Sequence, residues 1–333
     1  MVLTAAQIDP KAWKRLTLTS RTGTWFQSPE AYTFFASLPE IMDSFAIAVS
    51  TPEHRLRAVC VGYVTKEHNP VRQHFTRRAI IIGGPCIADD CTDHEVAELM
   101  QAVRANLQNK AIYIETRNFN DYSRWKSAFE SAGFSYRPHL NFHVDCTDNA
   151  AILARLSDNR KRQLKKAMAS AVTVVEAKDE DEVRSWYRIL ANLYRTKVKT
   201  PLFPVEFFVE AFRQRVGTFL LIIYNDTIIG GSMLAVLDGK CVYEWYECGL
   251  NAEYKEQYPS VTATCAGMNY AAEQGIQRYD MMGAGEPEIP YGVRDFKAEF
   301  GGVLVEHGRF LSICQPLLFR LGTLGVRLLK GHK

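Results

Sequence analysis

Apolar and polar positions along the chain fall into short blocks that predict strands and amphipathic helices in regular alternation. Apolar runs at Phe45–Val49, Ala58–Val64 and Ala79–Ile82 read as strands, the last ending in Gly83-Gly84-Pro85. Thr92 to Asn109 reads as a helix, because Val96, Leu99, Met100, Val103 and Leu107 share one face at about 3.6 residues per turn. A strand at Ile112–Glu115, a helix at Tyr122–Ala132 stopped by Gly133, and the alternating segment His139–Asp145 complete the first half. Ahead of them, Ser28 and Pro29 form the N-cap and first position of a helix through Tyr32 and Phe35. After that helix the order is β-β-β-α-β-α-β.

A strongly basic helix is expected from Asp148 to Ala171, with Arg160, Lys161, Arg162, Lys165 and Lys166. Beyond it come a strand at Val172–Glu176, a helix at Asp179–Arg195, a proline-punctuated bend at Thr200–Pro204 and a helix at Val205–Val216. Phe219–Tyr224, Ile228–Leu237 and Lys240–Glu247 form a meander turning at Asn225-Asp226 and Asp238-Gly239, the latter the expected type I′ turn. A helix from Pro259 to Gln274, a strand at Arg278–Met282, a short helix within Tyr291–Gly302 and the run Val303–Ile313 follow. The order is again β-β-β-α-β-α-β. The pattern predicts a duplicated α/β domain, 1–147 and 148–333, joined by the basic helix 148–171 and ending in an amphipathic tail, 315–333.

Composition narrows the class. A length of 333 residues fits two domains of about 150 residues each. The net charge of +3 is too small for a nucleic-acid coat, so any basic function is local. The first residues lack the apolar core of a signal peptide, and no window approaches about 18 uninterrupted apolar residues, so a cytoplasmic protein is expected. Eight scattered cysteines, without a Cys-x-x-Cys pair, indicate neither a disulfide framework nor a zinc site. His139 and His143 have ligand-like spacing but sit on the wet side of an alternating strand, so no metal is expected.

Candidate chemistry gathers near the end of the second half. In the helix within Tyr291–Gly302, Val293, Phe296 and Phe300 form an apolar stripe with Lys297 on its border, and Gly301-Gly302 stops the helix. The strand Val242–Glu247 should expose Tyr243 and Trp245 on one face and Glu244 and Tyr246 on the other. The tail from Leu317 to Lys330 gathers Arg320, Thr323, Arg327 and Lys330 on a polar face, a pattern that suits an interfacial membrane helix as well as a docked one.

The repeated element order resembles the acyltransferase fold of the GNAT superfamily, in which a glycine-rich turn into a helix holds a coenzyme A pyrophosphate. The corresponding stretch here, Gly249 to Ser260, has no Gly-x-Gly, loses a donor at Pro259 and carries Glu253 and Glu256. A duplicated GNAT-like fold without that loop resembles the FemABX family, which transfers amino acids from aminoacyl-tRNA to the peptide of a peptidoglycan precursor. The matching motifs are Phe296-Lys297 with Phe300-Gly301-Gly302, Tyr279-Asp280-Met281-Met282-Gly283, Gly84-Pro85 and Phe26-Gln27-Ser28.

The resemblance implies two tandem GNAT-like domains with mixed, largely antiparallel sheets flanked by helices. It implies that Lys297 and Phe296 hold the reacting end of the donor, with Lys297 stabilising developing negative charge rather than acting as a nucleophile. It further implies that Tyr246 orients the acceptor, that Lys197 and Lys199 bind the acceptor's diphosphate, and that Asp89, beside Asp90, borders the acceptor cleft. Arg294 is a lesser candidate for phosphate contact, and the run Arg160 to Lys166 for tRNA. The family's substrate-binding lysine after Phe26-Gln27-Ser28 is missing, since Tyr32-Thr33-Phe34-Phe35 offers none.

No cofactor is implied. The expected co-substrate is aminoacyl-tRNA or acyl-CoA, and the expected partners are charged tRNA and a peptidoglycan precursor or other amine, with the tail a candidate for peripheral contact at the inner membrane face. The alternatives are a GNAT-like enzyme using acyl-CoA or a carrier thioester on a sugar or amine, and a non-catalytic envelope-assembly or tRNA-binding protein.

Overall fold

A computed structural model describes residues 1–67 and 69–330, apart from the side chains of residues 70–72 and 324–330. Arg327 and Lys330 of the expected polar face therefore lie outside the described side chains. The chain divides into two compact units, Met1–His139 with Glu306–Lys333, and Leu140–Val305.

The first unit contains β1 (Val2–Thr4), α1 (Pro10–Thr19), α2 (Pro29–Ala36), β2 (Met42–Ser50), β3 (Leu56–Thr65), α3 (Pro70–Thr76), β4 (Ala79–Gly83), β5 (Cys86–Ile87), α4 (Asp93–Leu107), β6 (Tyr113–Asn118), α5 (Lys126–Ser131) and β7 (Ser135–Arg137). The second contains β8 (Leu140–Asp145), α6 (Asn149–Arg155), α7 (Asp158–Ala169), β9 (Thr173–Glu176), α8 (Glu180–Leu193), α9 (Val205–Arg213), β10 (Thr218–Tyr224), β11 (Thr227–Leu237), β12 (Cys241–Gly249), α10 (Pro259–Glu273), β13 (Arg278–Asp280), α11 (Gly292–Ala298) and β14 (Val303–Glu306). The chain then returns to the first unit with β15 (Arg309–Ile313) and α12 (Pro316–Lys330). Both sheets are mixed and largely antiparallel, in the orders β1-β2-β3-β4-β6-β15-β7, with β5 on β3, and β14-β8-β13-β12-β11-β10-β9.

Local chemistry sets the elements where expected. The Ser28 hydroxyl caps α2 by accepting from the Ala31 N–H, with Pro29 at the first position. Thr92 and Glu95 form a capping box on α4, whose buried face is Val96, Leu99, Met100, Val103 and Leu107.

The division of the chain differs from 1–147 and 148–333. β8, at the end of the expected first domain, pairs with β13 in the second sheet, and β15 pairs with β6 and β7 in the first. Periodicity identifies a strand but not its partner. The run Val303–Ile313 is accordingly two strands in different sheets, separated at Gly308, whose φ is +61°. The basic segment 148–171 is two helices, because Ser157 starts a new one by capping the Arg160 N–H. The type I′ turn is at Asn225-Asp226, with φ of +47° and +57°, whereas at Asp238-Gly239 only the glycine is left-handed and three residues span Leu237 to Cys241. Among the described residues no helix is long and apolar enough to cross a membrane. Leu317 and Leu321 of α12 are exposed.

Each sheet opens between two strands, and the openings are filled differently. In the first unit β3 pairs with β4 only at Tyr63–Ile80 and Val64–Ala79. The fully buried Gln27 fills the gap beyond, its amide donating to the Val61 and Ile82 carbonyls at 2.9 and 2.8 Å and accepting from the Val61 N–H at 2.8 Å. The motif Phe26-Gln27-Ser28 is thus a structural bridge. In the second unit β12 pairs with β13 only from Cys241–Arg278 to Tyr243–Asp280, leaving the rest of β12 without that neighbour.

Gln27→Leu should therefore orphan three buried backbone groups. At roughly 1–3 kcal/mol for each unsatisfied group, the urea midpoint should fall by the equivalent of about 3 kcal/mol or more.

Candidate active site

The opening between β12 and β13 is where the second unit collects ionisable groups. Past β13, Met282 and Gly283 take φ of +54° and +109°, turning the Met281 and Gly283 carbonyls toward a common point. Lys297 Nζ occupies that point, donating to the Met281 carbonyl and, at 2.9 Å, to the Gly283 carbonyl. An ammonium has three donors, and the third meets no acceptor among the described residues.

A buried network fixes the turn that holds the lysine. The Asp280 carboxylate, fully buried, accepts from the Met282 N–H and the Asn141 amide, each at 2.8 Å. The Asn141 carbonyl accepts from the Gly283 N–H at 2.7 Å and the Phe142 N–H at 2.9 Å. His143 Nε2 lies 3.1 Å from the other Asp280 oxygen. Burial works against ionisation of Asp280, but His143, Arg278 and Asn141 outweigh it and hold the carboxyl below its ordinary range.

A β-bulge brings two more carboxyls to the same side. The β11–β12 register shifts so that Met233 opposes Tyr246 and Leu234 opposes Glu244, leaving Trp245 as the extra residue. The expected simple alternation along 242–247 therefore fails. Trp245 and Tyr246 pack on α9 through Phe207 and Phe208, with ring centroids 5.4 and 5.0 Å apart. Glu244 turns to α10 and β13, accepting from the Thr264 hydroxyl at 2.8 Å and the Tyr279 hydroxyl at 2.9 Å. Burial raises the Glu244 carboxyl above its usual range despite Lys297 and these hydroxyls. Glu247 is raised to about 8 by burial and by Glu244, with Ser260 and Lys297 offsetting only part. Burial lowers Lys297, against the pull of Glu244, Asp280 and Glu247.

The helix carrying Lys297 is clamped from α7. Arg160, at the head of the basic run, is only 6% exposed. Its guanidinium lies 4.5 Å from the Phe296 ring centroid and 5.2 Å from that of Phe300, and 3.4 Å from Glu299. Ser157 and Asn159 also bond the Glu299 carboxylate, at 3.0 and 3.1 Å. Arg160 thus supports α11 rather than presenting a charge to tRNA, and Lys166 pairs with Glu256 at 3.1 Å. Phe300 is buried and Phe296 packs against the core as the stripe predicts, whereas Val293 is exposed.

Other sequence candidates fall elsewhere. Arg294 spends four N–H groups on the carbonyls of Ala284, Glu286, Pro287 and Ile289, pinning the loop before α11. That consumes most of the fork a phosphate would need. Lys199, with φ of +56°, lines a cavity of about 500 Å³ with Tyr187, Tyr194, Arg195 and Pro201. Tyr246 reaches that side through Tyr194, 6.3 Å between ring centroids, and Lys197 is exposed. Asp89, in the first unit, accepts from the Arg21 N–H at 2.9 Å and pairs with its guanidinium at 3.3 Å.

At the expected coenzyme A turn, Pro259 removes one N–H of α10 and the Asn251 side chain occupies the next, Ser260, at 3.2 Å. Sequence reasoning missed Glu244, Glu247, Asn141, Asp280 and Arg160 as parts of the site. The bulge leaves no sequence signal, whereas an aspartate inside the apolar strand around Tyr279 was a readable one.

Known proteins share this architecture. Residues 154–297 match the family model described as an acetyltransferase (GNAT) domain, a match that ends on Lys297. Over the whole length the chain is similar to FemX, with a TM-score of 0.72, 13% identity, and 96% of this chain and 99% of that one covered. It is also similar to the C-terminal domain of a protein named as a lysylphosphatidylglycerol synthetase from Agrobacterium fabrum, with a TM-score of 0.58, 11% identity and coverage of 97% and 96%. A tandem GNAT protein from the clavulanic acid biosynthesis pathway matches with a TM-score of 0.57, 8% identity and coverage of 94% and 98%. No curated protein matches in sequence. The chain thus has a tandem GNAT-like fold similar to that of FemX, and its residues 154–297 resemble a GNAT domain.

Glu247 gives a test of the site's electrostatics. Its folded value of about 8 lies above the ordinary 4.5, so between those values the folded protein holds more protons than the unfolded chain. Its contribution to stability then falls as pH rises through that window. Glu247→Gln should flatten the loss of urea stability between about pH 5 and about pH 9 and leave the variant the more stable protein at the alkaline end.

Proposed function

We propose that this protein is an aminoacyltransferase of the FemABX type, moving an amino acid from aminoacyl-tRNA to the amine of a peptidoglycan-precursor peptide. The observation that carries the reading is the Lys297 ammonium, held by two carbonyls at the open edge of β12 with one donor to spare. In the reaction the acceptor nitrogen forms a bond to the ester carbonyl carbon. The carbonyl oxygen gains negative charge, and the carbon–oxygen bond to the ribose then breaks. The spare Lys297 N–H is suited to that oxyanion, and a fixed cation shielded from water stabilises it more than the neutral ester. The acceptor amine must lose a proton and the ribose oxygen must gain one. Glu247, titrating at about 8, is suited to carry a proton between them.

The obstructed N-terminus of α10 favours an aminoacyl-tRNA donor over coenzyme A. The match of residues 154–297 to an acetyltransferase domain supports the second reading, acyl transfer from a coenzyme A thioester. The name of the Agrobacterium fabrum protein adds a lipid hydroxyl to the acceptors worth testing, and the exposed Leu317 and Leu321 of α12 would suit a membrane-borne acceptor.

Charged tRNA with a muramyl-peptide precursor should yield a branched peptide. Lys297→Met should lower turnover by about 100-fold or more, as loss of an oxyanion donor does elsewhere, while its circular dichroism spectrum stays unchanged. A folded Lys297→Met protein with full activity would remove the lysine from the mechanism, and transfer from acetyl coenzyme A alone would favour the second reading.

A further inference from the structure

The first unit leaves apolar side chains uncovered on two touching helices, α3 and α12. Phe75 of α3 is 50% exposed, and Leu317 and Leu321 of α12 are 76% and 58% exposed. The other large apolar residues exposed among this unit's described ones, Met1, Val2 and Leu18, all precede α2, so α3 and α12 hold a concentration rather than a scatter. The orientation of α12 is fixed at its start. The Cys314 and Gln315 N–H groups both donate to the Ile112 carbonyl, at 2.9 and 3.0 Å, and the Gln315 side chain accepts from Arg77 Nη2 at 3.3 Å, just beyond α3. Phe319 then packs edge-on against Tyr113 of β6, with 5.5 Å between ring centroids. Leu317 and Leu321 stand about 160° around the helix from Phe319, so docking through Phe319 turns them outward. In the sequence the same alternation of four- and three-residue steps continues at Leu324 and Leu328.

Charge indicates what covers these residues. The segment 69–78 carries Arg72, Arg77 and Arg78, the segment 314–333 carries Arg320, Arg327, Lys330 and Lys333, and neither contains an acidic residue. Seven cations without a local counter-charge stand out in a chain whose net charge is only +3. Arg320 is exposed, next to Leu321 and three residues from Leu317, so positive charge borders the apolar face directly.

We propose that α3 and α12 together bind the surface of an anionic membrane, with Phe75, Leu317 and Leu321 entering the interface and the neighbouring arginines and lysines meeting lipid phosphates. At 15 residues α12 is about 22 Å long, and a bilayer's hydrocarbon core is about 30 Å thick, so the helix lies on the membrane rather than across it. A second copy of the chain is the poorer occupant, because a two-fold contact would set these cations against themselves. The surface belongs to the first unit and is independent of the acyl chemistry of the second. Vesicle binding therefore reads it without any substrate.

The test is flotation of the full chain with vesicles of phosphatidylcholine alone and of phosphatidylcholine mixed with phosphatidylglycerol, at low and high salt. Binding should require phosphatidylglycerol and weaken with salt. Leu317→Gln combined with Leu321→Gln changes only exposed side chains, so the double variant should melt with the parent. Its partition to the mixed vesicles should fall by at least about tenfold. Phe75→Ser should cause a smaller loss of the same kind. No binding of the parent to the mixed vesicles, equal binding to both vesicle types, equal binding by parent and double variant, or no loss in Phe75→Ser would each overturn the proposal. A concentration-dependent dimer in sedimentation, abolished in the double variant and without vesicle binding by either protein, would overturn it by making this face a contact between copies.

Discussion

The second unit's site depends on one contact, the Lys297 ammonium against the Met281 and Gly283 carbonyls. Removing a cation from water is costly, and a carboxylate partner would return part of that cost while cancelling the charge. Lys297 makes no ion pair with any described residue and is instead held by neutral dipoles, which stabilise the cation without discharging it. The surrounding structure serves that arrangement. The left-handed backbone at Met282 and Gly283 aims the carbonyls, Asp280 and Asn141 satisfy the N–H groups that this turn exposes, and Arg160 fixes the helix from which the lysine projects. A non-glycine residue at positive φ is strained, and Met282 keeps that conformation because its N–H is bonded to a buried carboxylate.

Three carboxyls feel this single lysine, and their environments separate them. Asp280 receives two N–H donors and faces His143, so it stays ionised even when fully buried. Glu244 has only two hydroxyls and Glu247 has less, so burial prevails and raises both. The division follows from donor supply rather than from distance to Lys297. It leaves one fixed anion that shapes the backbone and two carboxyls, Glu244 and Glu247, that burial holds above their usual range. The β-bulge at Trp245 is what makes this possible, since strict alternation would have turned Glu247 away from Glu244.

Much of the fold was legible in the sequence because its elements are locally encoded. Ser28 and Pro29 announced the start of α2, and the face of α4 followed from its spacing. Lys297 was legible for the same reason, as a lysine on the border of an apolar stripe ended by Gly301. What was not legible depends on pairing between distant segments. Nothing in Leu140–Asp145 or Arg309–Ile313 says which sheet each strand joins, so the unit boundary was misplaced. Arg160 looked like one more cation in a basic run, and its burial depends on Phe296 and Phe300, more than a hundred residues away. Arg294 was read as a phosphate ligand because the loop whose carbonyls it binds has no regular pattern.

The two units also differ in what their strand openings leave available to a ligand. In the first, the parallel strands β4 and β6 pair along all of Ala79–Gly83, and the opening between β3 and β4 is closed by Gln27. A neutral amide with both N–H groups and its oxygen bonded to backbone leaves no donor and no charge for a ligand. In the second, β12 and β13 separate after three pairs, and the opening is occupied by an ammonium that two carbonyls cannot saturate. The same structural problem, unsatisfied backbone where strands part, is thus solved once with a side chain whose hydrogen bonds are complete and once with a side chain that keeps one in reserve. Only the second solution can respond to charge that develops during a reaction, which is why the spare N–H of Lys297 carries the functional reading and the Gln27 bridge carries only stability.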